Sequence, residues 1–338
     1  MIRIGLFGAA HGHVAYALDE ARQRENVHLV GAVEPDVEAR TTHLASVPDL
    51  PLFDNDQALL GEGDIDVAVV SGRYSMRARS VIAALEAGAD VLADKPLCTT
   101  LEDLEQIREV AVKNGRRVSV MFEKRHYPET LAARKLLAEG TLGELALVAS
   151  TGPHKMLLPH RPQWFLDPKQ YGGIANDLPV HDIDLVLTLA AAEEGWVSAT
   201  TGCVRAADHP GFDDHVALIL QAGPVAATIE ANWLSPEAAP MHGHYRMRLT
   251  GSEGTAEIDW ALGHVTVATH DREPWQEPLP VGLRPAQDFF DALEEGREPE
   301  VSTKESLLAT HVALLAQASA DRQGKQLLWQ REHWKAAK

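Results

Sequence analysis

Cysteine is scarce in this chain: Cys98 and Cys203 are the two in 338 residues. That excludes a disulfide framework, and their wide separation offers none of the spacings of a metal finger. Long apolar runs are also missing, since no stretch approaches the roughly 18 to 20 apolar residues that a bilayer-crossing helix needs. The opening MIRIGLFGAA stays apolar only briefly before His11, His13, Asp19 and Glu20 follow. It therefore reads as a first strand and not as a secretory signal, and a cytoplasmic location is expected. Basic residues are outnumbered, with 31 Lys and Arg against 49 Asp and Glu and a net charge of -18. Such a field repels nucleic-acid phosphates and anionic membrane surfaces, so neither partner is expected, and a neutral small molecule is mildly preferred. There is no internal repeat and no low-complexity tract.

What is present is ordinary globular composition, 45% hydrophobic and 24% charged, in a chain long enough for two cores. Apolar strands at 2–7, 27–33, 65–70, 91–93 and 118–122 alternate with helical spacings such as Val14, Ala17, Leu18 and Ala21. This is the pattern of a parallel, doubly wound sheet. A Ser/Thr-x-x-Glu box at Thr99 and Glu102 predicts a helix directly after Asp94-Lys95-Pro96, ended by Gly115. Beyond about residue 124 the order changes to a helix near 129–139, a strand near 144–151 and a long aromatic and proline-rich loop at 153–171. Strand-like segments then follow at 216–221, 225–233, 245–250, 255–260 and 264–269, and a helix at 304–323. The expected architecture is an α/β Rossmann domain over 1–123 and an α+β domain over 124–338 with a mainly antiparallel open sheet.

Chemistry-bearing residues gather at the predicted strand ends. Gly8-Ala9-Ala10-His11-Gly12-His13 joins strand to helix, where backbone N–H groups cradle a pyrophosphate, or where the chain simply turns tightly. The glycine pattern is degraded, with Ala10 and His13 at two of its three positions. Glu34 closes the second strand, 26 residues after Gly8, placed to accept ribose hydroxyls and to repel a 2′-phosphate. That favours NAD over NADP; the other reading is a solvated loop residue. Lys95 stands at the carboxyl end of a parallel strand, the edge where such sheets bind ligands, although most lysines are surface residues. Asp177 and His181 are four apart and share a helix face, either as a carboxylate–imidazole pair or as an N-cap and a surface partner. Pro179 between them predicts a helix that starts near Asp177 or is kinked.

With these residues in view, the chain resembles the glucose-fructose oxidoreductase and inositol dehydrogenase family, Gfo/Idh/MocA. The N-terminal turn, DKPLCTTLED, RHYP at 125–128, YGGIANDLPVHDID, DFFDALEEG and KESLLATHVALLAQASADRQGKQL carry the resemblance over essentially the whole chain. It implies hydride transfer between a nicotinamide and a secondary hydroxyl of a sugar or polyol. In that scheme His181 is general base, Asp177 orients it and Lys95 stabilises the alkoxide. Ser71, Gly72, Asp94 and Pro96 join the expected cofactor contacts. Arg125, His154, His160, Arg161, Trp164 and Tyr171 form the expected substrate side, with Trp164 either stacking on a sugar ring or anchoring its loop. Asp94, Pro179 and the 71–75 segment depart from the family's usual Glu, Gly and Thr-Pro-Asn-like turn. A homodimer or homotetramer through the C-terminal sheet is expected.

No metal site is assigned, but sixteen histidines keep a His-bound metal in a sugar lyase or isomerase as a second reading. A transient-oxidation enzyme and a non-catalytic NAD-binding regulator are the others.

Overall fold

The computed structural model describes residues 1–62 and 64–334. The N-terminal part alternates strand and helix: β1 (Ile2–Phe7), α1 (Val14–Gln23), β2 (Val27–Val33), α2 (Val37–His43), α3 (Asp56–Glu62) and β3 (Val67–Val70) come first. They are followed by α4 (Tyr74–Glu86), β4 (Asp90–Ala93), α5 (Leu101–Asn114) and β5 (Val118–Val120). All pairings in this sheet are parallel and the order is β2-β1-β3-β4-β5. The order reverses at β1, so a crevice opens outside the carboxyl ends of β1 and β3, and ligands of open α/β sheets bind in such crevices.

The predicted strands fall where expected, with shorter ends at β3 and β5. The α5 cap sits one residue later than the motif suggested, because Thr100, not Thr99, accepts from Asp103 N at 3.0 Å. Helix α2 buries none of its residues, so no apolar stripe announces it; its N-terminus is held by Asp36, which accepts from Glu38 N and Ala39 N.

After a short 3-10 turn at Glu123–His126 come α6 (Pro128–Ala138), β6 (Leu145–Pro153), α7 (Pro168–Tyr171), α8 (Ile174–Asp177), α9 (Val180–Ala190) and β7 (Glu194–Gly202). Then follow β8 (His215–Ala222), β9 (Val225–Asn232), β10 (Arg246–Gly251), β11 (Gly254–Asp259), β12 (His264–Thr269) and β13 (Arg272–Gln276). The last elements are α10 (Gln287–Glu295), α11 (Thr303–Ala320) and β14 (Leu327–Gln330). The second sheet has nine strands in the order β13-β12-β11-β10-β6-β9-β8-β7-β14, antiparallel except for β6 beside β9. Along β8, Val216, Leu218 and Leu220 are buried while Ile219 is exposed, so one face packs and the other is open.

Two helices near the end of the chain return to the first sheet. Helix α11 lies against β5, where Thr303 Oγ1 and Ser306 Oγ accept from Val118 N at 2.9 Å and Val120 N at 3.0 Å. Those are edge-strand donors that would otherwise be buried without partners. Helix α10 places Phe289 and Phe290 in the core under α1 and β1. The other face of the first sheet shares one continuous apolar core with the second sheet.

Candidate active site

Gly8 leaves β1 with φ +85, and a Cβ there would lie 2.2 Å from Gly72 Cα, so two backbones cross where any side chain would collide. This turn opens onto two clefts. One, of about 220 Å³, is lined by Gly8, Glu34, Asp54, Gly72, Arg73 and Ser80. The other, of about 470 Å³, is lined by Ala10, His11, Gly12, Glu34, Asp36 and His43, and is roofed by His160, Arg161 and Trp164. Glu34 borders both. Its two oxygens accept from Ala9 N at 2.6 Å and Asp36 N at 2.9 Å, which leaves lone pairs for further donors. A glycine crossing, a helix N-terminus and a carboxylate at the second strand tip fit a dinucleotide laid along these clefts.

Asp94 corrects one expectation. It is fully buried at the end of β4, and its oxygens meet His11 Nδ1 at 2.9 Å, His13 Nδ1 at 2.8 Å, Ser71 Oγ at 3.1 Å and Arg77 Nη2 at 2.8 Å. It therefore holds the two histidines from beneath and has no exposed surface to offer a cofactor. Ser71 is likewise fully buried, within reach of Asp94 and His11 O, and supports the turn from below. Pro96 is buried, with its carbonyl accepting from Arg77 at 2.9 Å. Burial works against the Asp94 charge, but Arg77 and the two imidazoles outweigh it and hold the carboxyl well below the usual range. Burial takes His11 down to about 4. Ligand atoms of His11, His13 and Asp94 lie within 4.8 Å of one another, a spacing a metal would accept. Each Nδ1 is already matched by an Asp94 oxygen, and the neighbouring Arg77 guanidinium would repel a cation.

Lys95 and Asp177 meet across the two sheets. Lys95 Nζ donates to Asp177 Oδ1 at 2.7 Å, and Tyr74 OH approaches the same oxygen at 3.4 Å. Burial would raise the Asp177 carboxyl, yet Lys95 more than offsets this and the net lies below its ordinary value. Gly173 lets this segment pass α11: its φ is +93, and a Cβ there would lie 2.2 Å from Gln317 Oε1. The helix is broken as Pro179 required, with α8 ending at Asp177 and α9 starting at Val180.

The break separates the expected carboxylate–imidazole pair. Asp177 is turned to Lys95, and the carboxylate nearest to His181 is Glu123, with Oε1 at 3.7 Å from Nε2. His181 is buried, and burial together with Lys95, Lys124, His13 and His154 keeps its imidazole well below the ordinary value, hence neutral at pH 7. Lys95 is thus among the groups that keep the His181 imidazole neutral.

Among the expected substrate residues, Arg125 and Tyr171 are corrections. Arg125 is buried and clamps Asp184 with two hydrogen bonds of 2.7 and 2.5 Å while reaching Glu300 O, so its guanidinium ties α9 to the segment before α11. Tyr171 is fully buried, and its hydroxyl accepts from Trp233 Nε1 at 3.0 Å. His160, Arg161 and Trp164 sit over the larger of the two clefts. Trp164 also anchors its loop, edge-on to Tyr74 at 5.1 Å, and Arg161 lies over the Phe165 and Trp233 rings at 4.5 Å each. His154 packs among Trp233, His242 and Tyr245, with Nδ1 at 3.0 Å from Gly152 O.

Sequence reasoning missed Glu123 and Lys124, although they follow β5 at the same carboxyl edge that singled out Lys95. Lys124 Nζ meets Asp182 Oδ1 at 2.9 Å and lies over Trp260 at 4.8 Å. Tyr16, Tyr127 and Tyr245 also went unnoticed; burial, and then the Glu123 charge, raises all three phenols.

Two family models match this chain. Residues 2–122 match an oxidoreductase family with an NAD-binding Rossmann fold, and residues 130–257 match the GFO/IDH/MocA C-terminal domain. The chain belongs to the GFO/IDH/MocA oxidoreductase family. Inositol 2-dehydrogenase from Acidothermus cellulolyticus is 29% identical over 76% of this chain and 72% of its own length. A 1,5-anhydro-D-fructose reductase from Ensifer adhaerens is 32% identical, but over 43% of this chain and 45% of that protein. A Thermotoga maritima structure described only as an oxidoreductase superposes with a TM-score of 0.89 at 26% identity, covering 97% of this chain and all of that one. A levoglucosan dehydrogenase complex with NADH and levoglucosan shares the fold, with a TM-score of 0.83 at 19% identity over 98% of this chain and 99% of its own. Among the described residues no helix is long and apolar enough to cross a membrane.

Proposed function

We propose that this oxidoreductase acts on a secondary hydroxyl of a sugar or related polyol, with NAD preferred over NADP. The observation that carries the reading is the 2.7 Å contact of Lys95 with Asp177, beside a buried neutral imidazole and next to the nucleotide clefts. When bound, the nicotinamide supplies the hydride acceptor. Around it Lys95 stabilises negative charge on the reacting oxygen, Asp177 holds Lys95 in place, and His181 accepts the hydroxyl proton. The named relatives act on inositol, anhydrofructose or levoglucosan, all rich in hydroxyls. The Glu34 carboxylate at the tip of β2 disfavours a 2′-phosphate, with Asp54 and Asp56 beside it in the smaller cleft to offset the lining arginines Arg73, Arg77 and Arg79.

A panel of polyols and glycosides with NAD and NADP, followed by nicotinamide absorbance and by substrate loss, tests this. Turnover of none of them with either cofactor overturns it. The open face of the nine-stranded sheet, where Ile219 and Leu147 are exposed, is the face proposed to pair with a second copy, and light scattering of the purified protein tests that.

A further inference from the structure

Four buried acids stand at the end of β4 and along α8 and α9, the segments that carry Lys95 and His181, and each has its own cation. Asp94 has Arg77 at 2.8 Å, Asp177 has Lys95 at 2.7 Å, Asp182 has Lys124 at 2.9 Å and Asp184 has Arg125 at 2.5 Å. Glu123 is the exception. It is 7% exposed, its Oε2 is buried without a hydrogen-bond partner, and its one ion-pair contact within 4 Å among the described residues is His181 Nε2 at 3.7 Å. A buried carboxylate without a cation is costly, and evolution of a fold tolerates such a group where a positive charge arrives during function.

The charge arrives at His181. When the substrate O–H bond breaks and an N–H bond forms on the imidazole, the ring becomes cationic. The electron pair left on oxygen faces the Lys95 ammonium and closes the C=O bond as the C–H pair departs as hydride to the nicotinamide, which supplies the acceptor when bound. The charged and titratable groups that most depress His181 are Lys95 at the end of β4, Lys124 in the 3-10 turn, His13 in the glycine turn and His154 after β6, and all of them oppose that cation. Asp177 and Asp182 are already neutralised. The 3.7 Å gap is too long for a direct hydrogen bond, but it is the separation at which a carboxylate stabilises an imidazolium by charge.

We propose that Glu123, not Asp177, is the positioning carboxylate of His181, supplying the counter-charge for the imidazolium formed at each turnover. This rests on the polyol oxidoreductase reading above for its kinetic consequence, though not for the pairing itself.

The test is Glu123→Gln, with folding checked by thermal unfolding and cofactor binding by NADH fluorescence. Imidazole-labelled protein followed by nitrogen NMR from about pH 5 to about pH 8 reports His181 directly. Its nitrogen shifts are expected to differ from wild type, with any protonation displaced about one pH unit or more to the acid side. On a polyol that the wild type turns over, kcat is expected to fall on the order of ten- to a hundredfold with KM little changed. The acid limb of the kcat profile is expected to move to lower pH. Glu123→Asp, which keeps the charge but draws it back, gives a smaller loss in the same direction and serves if the Gln variant does not fold. Unchanged His181 shifts, or a rise in KM with kcat intact, overturn the proposal. If the wild type turns over no polyol while the shifts still respond to Glu123→Gln, the substrate reading fails and the pairing stands.

Discussion

Lys95→Met removes the ammonium 2.7 Å from Asp177 and leaves a fully buried carboxylate with no cation. Two losses follow. Breaking one side of a buried ion pair destabilises a fold by about 3–5 kcal/mol. Losing a charge aimed at a developing alkoxide lowers kcat on the order of 10² to 10³-fold, roughly 3–4 kcal/mol. The pH dependence separates the folding cost from a loss of packing.

In the wild type the Asp177 carboxyl is held below its ordinary value, so its contribution is present above about pH 4 and disappears as the pH falls through the folded value. In the variant, burial is opposed only by the remaining hydroxyl and imidazole neighbours and raises the carboxyl, so the penalty is greatest at neutral pH and shrinks as acid protonates the group. The stability gap between the two proteins is therefore expected to narrow from about pH 7.5 to about pH 5. Thermal unfolding of both proteins at the two pH values measures it, and initial rates at saturating polyol measure the second loss. A gap independent of pH, or a kcat equal to wild type, refutes the reasoning.

Asp94→Asn withdraws the charge that gathers His11, His13 and Arg77, and is expected to weaken NADH binding roughly ten- to a hundredfold, as outer support of a site does; fluorescence titration checks it, and an unchanged affinity separates this network from the cofactor. Arg125→Gln breaks the clamp on Asp184 and is expected to cost about 3–5 kcal/mol of stability while leaving KM for every substrate unaltered, which a substrate-binding arginine would not do. Ser306→Ala strips the acceptor from Val120 N and is expected to destabilise by about 1–3 kcal/mol with normal turnover of the folded enzyme, measured by denaturant unfolding and by activity per folded molecule.

Local physics made much of this protein legible in one dimension. Parallel strands buried on both faces read as apolar runs, and β1 and β2 have the bounds their patterns indicate. Lys95 was found because an edge rule gives meaning to a residue at the carboxyl end of such a strand, and the break at Pro179 followed from a missing N–H. What the pattern left silent was of two kinds: α2 buries nothing, so no apolar stripe announces it, and α10 has an apolar face whose partner, the first sheet, lies far away along the chain.

The pairing of charges lay further from view. Spacing placed Asp177 and His181 on one helical face, but the broken helix turned Asp177 toward Lys95, 82 residues away in sequence. Arg125 and Tyr171 read as polar handles for a substrate, and packing made them a buried clamp and a core hydroxyl. Which acid meets which base is a matter of long-range contacts across two sheets. The sequence determined the strands, the turn and the inventory of reactive groups through local sterics and periodicity; the tertiary structure alone decided the partners, because burial favours pairing with an opposite charge that is near in space, however distant along the chain.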